Sequence, residues 1–295
     1  MHYTKKENGM GILLLLPALI ALAALIIYPF CFAIKLSFHS QLIYEIKGHF
    51  VGFANYLETF RDPDFWNATK LSMIWVFTTV VGQMVIGIIV ALFLNEDFRG
   101  RGLARAFILL PFFMPMISIT LMWRWLLNES YGIINSMLIS AGLIDHTISW
   151  LGTPAKAFLI NIIIGIWSYY PFVVINVLAG LQTIPKELYE SAKMDGANFW
   201  TSFWYITMPS IKNVVGVVAM LRIIFMFKKF DQIYMLTGGG PGVATTTMPL
   251  YAYKYAFTGM QLGRGSAITL IIATIVSIVV FLYMKLSKMN ETVEV

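Results

Sequence analysis

Arg222, Met226 and Lys229 stand at i, i+4 and i+7 with Phe225 beside them, so a helix would set two cations, a thioether and a ring along one face. The flanking residues are apolar, and an ionisable side chain within hydrocarbon costs on the order of 2.5–3.5 kcal/mol unless it meets a polar cavity or a partner. This face is therefore predicted to border a polar path. Lys228 and Asp231, three apart, could pair with each other instead. A second cluster gathers Trp167, Ser168, Tyr169, Tyr170, Phe172 and Asn176. Rings stack on the C–H faces of sugars but also make interfacial belts; Trp167 suits a belt, while Tyr169 and Phe172 are candidates for ligand contact. Bond-breaking chemistry has no support. His2, His39, His49 and His146 are scattered among polar segments, and no carboxylate dyad, Ser/His/Asp set or metal-ligand cluster is present. No catalytic or metal residue is expected. The single cysteine, Cys31, excludes an internal disulfide and reads as packing within an apolar run.

The elements that must hold these residues are membrane helices. The chain is 58% hydrophobic and 12% charged, against about 45–50% apolar and about 25% charged in soluble domains. A net charge of +6 would suit nucleic acid in a soluble protein, but here the cations lie between apolar runs, where they set orientation. Nucleic-acid binding is not expected. Runs near the roughly 20 residues needed to cross hydrocarbon predict six spans, at about 10–34, 71–94, 106–125, 157–180, 211–236 and 266–284. The first is read as a retained helix rather than a signal peptide, whose apolar core would be about 7–15 residues. Pro111 and Pro115 predict kinks in the third, and Arg124 between two tryptophans reads as an interfacial anchor.

Six spans put both termini on one side. Lys5, Lys6, Arg99, Arg101, Arg105, Lys186, Lys193, Lys212, Lys285 and Lys288 fall on that side, more densely than Lys35, Lys47, Arg61, Lys70, Lys254 and Arg264 on the other. The positive-inside rule makes the first side cytoplasmic. On it lies a polar segment, 185–209, between spans four and five. Pro185 suits a helix start, Glu187 and Glu190 suit the positive end of its dipole, Gly196 permits a bend, and Asn198 to Tyr205 can form a second short helix before a boundary at Pro209. The expected fold is all-α: one membrane domain over 1–295, with six transmembrane helices and a cytoplasmic helix-turn-helix between helices 4 and 5.

The same segment carries a resemblance. Glu190, Ala192, Gly196, Ile206 and Pro209 keep the spacing of the loop pattern found in membrane subunits of binding-protein-dependent ABC importers, with Ser191 for the second alanine and Met208 for leucine. Phe230 to Pro241 is similar to the signature that ends the penultimate helix of one permease subunit in the maltose/multiple-sugar/glycerol-phosphate family. The resemblance implies that Glu190, Ala192, Asp195, Gly196, Ala197 and Pro209 sit in a cleft of an ATPase subunit and couple its closure to the spans. It implies a bacterial cytoplasmic membrane, a second permease subunit in a heterodimer, two ATPase subunits holding ATP and Mg, and an extracytoplasmic sugar-binding protein. No cofactor belongs to this chain. Matching the motifs places Phe225, Met226 and Lys229 where the maltose-importer subunit holds sugar, with Met and Lys in place of Asn.

Gly238, Gly239, Gly240 and Pro241 make an external turn with either a tight-turn or a binding role. A phosphate loop is excluded, because no Gly-Lys-Ser or Gly-Lys-Thr follows. Arg222 and Lys229 suit an acidic sugar; alternatively Arg222 meets a carboxylate or carbonyl of a partner subunit and Lys229 snorkels. The rival class, an ion-gradient-driven secondary transporter, would need intramembrane carboxylates or an internal repeat, and only Asp231 is available.

Overall fold

The computed structural model describes residues 5–291, with side chains from 14 to 285. His2 and the side chains of Lys5, Lys6 and Lys288 lie outside the described residues. The elements in order are α1 (Lys5–Leu22), α2 (Tyr28–Ser37), β1 (His39–Ser40), β2 (His49–Phe50), α3 (Ala54–Arg61), α4 (Pro63–Asn95), α5 (Arg101–Phe113), α6 (Met116–Leu126), α7 (Ile133–Ser140), α8 (Pro154–Leu181), α9 (Lys186–Met194), α10 (Phe199–Ser202), α11 (Met208–Phe227), α12 (Asp231–Thr237), α13 (Met248–Tyr253) and α14 (Leu262–Glu291). Among the described residues the regular structure is helical apart from the two-residue antiparallel pair β1–β2 and an isolated bridge between Leu42 and Gln261. Among the described residues, five helices are long and apolar enough to cross a membrane: Leu14–Ser37, Pro63–Asn95, Pro154–Leu181, Phe199–Phe227 and Leu262–Lys285; α5 with α6 makes a sixth if the bent pair is one span.

Three sequence expectations change. The third span is not a kinked helix but two helices at 95°. The break falls at Met114, held extended at ψ 138° because the ring of Pro115 excludes helical geometry from the residue before it. Pro111 stays inside α5. The fifth span starts twelve residues earlier than expected, at Phe199, and stops at Phe227 rather than Leu236. Pro209 makes no boundary. The turn before it, Phe203–Thr207, widens to a π-helix in which Met208 N–H reaches the Phe203 carbonyl, so the helix passes the proline without a break. Cys31 is exposed rather than packed.

The chain divides into two units. The first joins Met1–Pro63 to Tyr251–Ile275. Asn55 Nδ2 donates to the Ser37 and His39 carbonyls at 2.8 and 3.0 Å, fastening α3 to the end of α2. Below it, Asp62 Oδ2 accepts from Tyr251 Oη, Tyr255 Oη and Arg264 Nη2, each at 2.7 Å. The Arg264 guanidinium also lies 4.1 Å from the centre of the Tyr255 ring. Burial, followed by the bond to Asp62, raises the Tyr251 hydroxyl well above the ordinary tyrosine value, and raises Tyr255 for the same two reasons.

The second unit joins Asp64–Leu250 to Val276–Val295. Here α4 and α8 approach so closely that a Cβ at Gly165 would come within 2.7 Å of the Trp75 ring and one at Gly87 within 2.6 Å of Val173 Cγ1. Small residues at such crossings replace the hydrophobic effect that lipid cannot supply. Ala91, Leu94, Val173, Val177, Ile211 and Val218 form the core between α4, α8 and α11. Ile119, Leu127, Ile160, Ile164 and Leu236 form another between α6, α8 and α12. Arg124, read as an interfacial anchor, is exposed and donates to the Met235 carbonyl at 3.4 Å.

The Asp62 cluster gives a pH prediction. An unfolded phenol ionises near about 10, whereas folded Tyr251 holds its proton to higher pH, so the stability it contributes is complete below that value and is lost as pH rises above it. Tyr251→Phe is expected to flatten the fall of thermal midpoint in the alkaline range. Parallel curves for the two proteins would contradict this.

Candidate functional site

Arg222 lies five residues before the C-terminus of α11 and is 3% exposed. Its Nε donates to Gln83 Oε1 at 2.7 Å and its Nη2 approaches Met226 Sδ at 3.6 Å. Gln83, fully buried on α4, turns its own Nε2 to the Gly165 carbonyl at 3.1 Å and to Met226 Sδ at 3.4 Å, which orients its amide oxygen toward the guanidinium. Three ring centroids surround the charge: Tyr169 at 5.0 Å, Phe172 at 5.4 Å and Phe225 at 6.0 Å.

No carboxylate of the described residues pairs with Arg222. The magnitudes show how this is tolerated. A hydrogen bond to a charged group contributes about 1.5–3 kcal/mol, and each ring contact about 0.5–2, together comparable to the roughly 2.5–3.5 kcal/mol of insertion. The negative end of the α11 dipole adds to these. Arg222 is thus held within its own chain by neutral groups.

Lys229 is placed otherwise. Its Nζ reaches Asp231 Oδ1 at 2.8 Å and Oδ2 at 3.0 Å and lies 4.7 Å from the Tyr169 centroid. The sequence pairing of Lys228 with Asp231 is therefore corrected, because the helix ends at Phe227 and the register of a continuous helix no longer applies. Lys228 is exposed, 5.9 Å from the Phe225 centroid. Trp75 Nε1 donates to the Met226 carbonyl at 3.1 Å, satisfying the α11 end where it breaks. Tyr169, Phe172, Arg222, Phe225, Met226 and Lys229 all lie in this cluster; helical spacing accounts for Arg222, Phe225 and Met226, whereas Lys229 follows the end of α11. Asn176 does not; it donates to the Phe172 carbonyl of its own helix at 2.7 Å. Gln83 and Trp75 were missed. The available signal was polar Ser72, Thr79 and Gln83 recurring at i, i+7 and i+11 on one face of an uncharged run, all buried.

The turn after α12 is closed on itself. Gly238 and Gly239 have φ of 61° and 92°, a region that only glycine enters readily. The Gly239 carbonyl accepts from Thr245 N and Thr246 Oγ1, each at 3.1 Å, and the Gly240 carbonyl from Thr245 Oγ1 at 3.0 Å. Pro241 follows Gly240 in this loop, and the arrangement is that of a tight turn.

The segment 185–209 forms a helix, a bend and a helix. Pro185 occupies the N-cap, one residue before α9, and Asp195 the C-cap. Gly196 has φ +83°, and Ala197 N–H closes back on the Ala192 carbonyl at 2.9 Å. Asn198 then caps α10 by accepting from Thr201 N–H at 2.9 Å. Tyr189 Oη and Thr207 Oγ1, 3.0 Å apart, tie the two arms together. Glu190 and Gly196 are exposed, Met194 is 88% exposed, and Phe199, Trp200, Trp204 and Tyr205 present uncovered rings.

A helical protein with several apolar spans and a cation-bearing cluster inside them has the architecture of a multi-pass membrane transport component. The chain belongs to the family described as the binding-protein-dependent transport system inner membrane component, whose pattern matches residues 83–288. Among its relatives is the trehalose/maltose transport system permease protein MalF of Thermococcus litoralis, 38% identical over 97% of this chain and 96% of the relative. Another is the sulfoquinovosyl glycerol transport system permease protein SmoG of Agrobacterium fabrum, 34% identical over 97% of this chain and 92% of the relative. The fold matches a chain in the crystal structure of a bacterial ABC transporter involved in the import of the acidic polysaccharide alginate, with TM-score 0.84, 24% identity and 96% of each chain covered.

The Gln83–Arg222 bond is open to test. Gln83→Leu keeps shape but removes the acceptor, and is expected to lower stability by about 1.5–3 kcal/mol, the worth of a hydrogen bond to a charge. Gln83→Glu, which supplies a carboxylate at the same place, is expected to keep the fold. Thermal unfolding of both in detergent is the measurement; an unchanged midpoint for Gln83→Leu would contradict the assigned bond.

Proposed function

We propose that this chain is a permease subunit of a carbohydrate ABC importer, forming part of the translocation pathway in a bacterial cytoplasmic membrane with both termini cytoplasmic. One juxtaposition carries the reading. A continuous helical rod, Phe199–Phe227, bears the exposed helix-bend-helix at one end and the Arg222 cluster toward the other. The names of the relatives, which include trehalose/maltose and sulfoquinovosyl glycerol permeases, support a sugar or oligosaccharide as cargo. The exposed rings of the 185–209 segment suit an ATPase cleft, with Glu190, Ala192, Asp195, Gly196, Ala197 and Pro209 as the coupling residues. The working assembly adds a second permease subunit, two ATPase subunits that bind ATP and Mg, and an extracytoplasmic sugar-binding protein. This chain itself carries no cofactor and catalyses no reaction.

In that assembly Tyr169, Phe172, Phe225 and the Arg222–Lys229 face meet the sugar. Three cations, Arg222, Lys228 and Lys229, stand in this region against one carboxylate, Asp231, which is held by Lys229; the excess of positive charge favours an acidic sugar. An ion-gradient mechanism is disfavoured because Asp231 is held by Lys229 at 2.8 Å.

Two experiments test these readings. Gly196→Pro cannot adopt φ +83°, since proline is locked near −65°; it is expected to abolish transport in the reconstituted assembly while ATP hydrolysis continues and expression is normal. Coupled transport in that variant would refute the coupling role. Arg222→Gln, still able to bond Gln83, is expected to lower uptake of a uronate-containing oligosaccharide at least tenfold, about 1.4 kcal/mol, with less effect on a neutral one. Equal loss for both sugars would remove the acidic preference.

A further inference from the structure

Apart from the Arg222 cluster, a cavity of about 280 Å³ lies at the other end of α4 and α8, lined by Leu94, Arg105, Leu109, Val174, Ile175, Leu178, Ala179 and Gln182. Its polarity is graded along the helices. Arg105, near the start of α5, and Gln182, which caps the end of α8, stand at the helix termini. Leu109, Val174 and Ile175 lie deeper, about 6 Å from Arg105 along α5 and about 10–12 Å from Gln182 along α8 at 1.5 Å per residue.

Arg105 is unsatisfied there. Its Nε and Nη2 are both buried and make no hydrogen bond. These two nitrogens form one edge of the guanidinium, the edge that engages a phosphate or carboxylate through two parallel bonds. Its neighbour Arg101 is already committed to Asp97 at 2.9 Å. The volume is below the roughly 300–1,000 Å³ of sites that enclose a whole small molecule, so the occupant is only partly enclosed and continues outside. Ile175 and Ala179 are exposed on the cavity wall, and Leu103, Phe107 and Leu110 make an exposed apolar stripe on α5 beside it. An occupant with an anionic head at the helix ends and an apolar remainder running along the helices satisfies every part of this geometry.

We propose that this cavity is a binding site for an anionic phospholipid of the leaflet that faces segment 185–209, its phosphodiester held by the Nε/Nη2 edge of Arg105 and its first acyl methylenes lying against Leu109, Val174 and Ile175. Basic pockets between membrane helices at a bilayer face are suited to such headgroups. A lipid bound here touches α8 one turn before the chain enters α9.

The test is native mass spectrometry of the full-length chain, purified in mild detergent and exposed in turn to phosphatidylglycerol, diacylglycerol and inorganic phosphate. The parent is expected to retain one phosphatidylglycerol, at least tenfold over diacylglycerol, and inorganic phosphate is expected not to displace it. Arg105→Gln is expected to reduce retention at least tenfold and Arg105→Lys by less. Ala179→Phe, which fills the cavity from an exposed position, is expected to abolish retention without loss of helical content, and decides the matter should Arg105→Gln fail to fold. Retention of phosphatidylglycerol by folded Arg105→Gln or Ala179→Phe overturns the proposal, as does equal retention of diacylglycerol. Displacement by inorganic phosphate, which would mark a free-anion site, or absence of any retained lipid in the parent also overturns it.

Discussion

A guanidinium buried without a carboxylate constrains the whole second unit. Arg222 needs an acceptor from α4, ring faces from α8, and a helix terminus close behind it, so these helices must meet at one depth. Gly165 allows the Trp75 ring to approach, and Gln83 spans from the guanidinium to the Gly165 carbonyl. The end of α11 supplies the negative pole of a dipole near Arg222, Lys228 and Lys229, while Asp231 opens α12 at a positive pole. The break between those helices is where Lys229 and Asp231 find each other. A close helix crossing, a helix interruption and an ion pair thus gather around one charge.

The membrane class, the helical fold and the order of the apolar runs were legible because hydrocarbon demands about 20 apolar residues per crossing and internal hydrogen bonding throughout. Segment 185–209 was legible for a different reason: Pro185, Gly196 and Asn198 each act locally, through a fixed φ, a left-handed backbone and a side-chain cap. Arg222 and Lys229 stood out because charge inside an apolar run is conspicuous.

The errors were of another kind. Pro209 and Pro115 are the same residue type, yet one is absorbed by a π-turn and the other turns the chain through 95°; composition does not distinguish them. The end of the fifth span was misplaced because Ile233, Met235 and Leu236 are apolar again, which carried the expected run across Lys228, Lys229 and Asp231. Trp75, 151 residues away in sequence, caps the Met226 carbonyl at that end. Gln83 escaped notice because an uncharged amide does not interrupt an apolar run, although it makes the shortest bond to Arg222. Thr245 and Thr246 likewise close the glycine turn from positions with no turn signature of their own.

The π-turn before Pro209 has a mechanical meaning. With no joint between Phe199 and Phe227, the 29 residues behave as a stiff beam of about 43 Å at 1.5 Å per residue. Gly216 lies on its farther half, where a Cβ would come within 2.7 Å of the Tyr283 hydroxyl. Measured from that contact, the arm toward Phe199 spans 17 residues, about 26 Å, and the arm toward Arg222 spans 6, about 9 Å. Were the contact a fulcrum, a sideways push at the aromatic end would reach Arg222 reduced about threefold and reversed in direction.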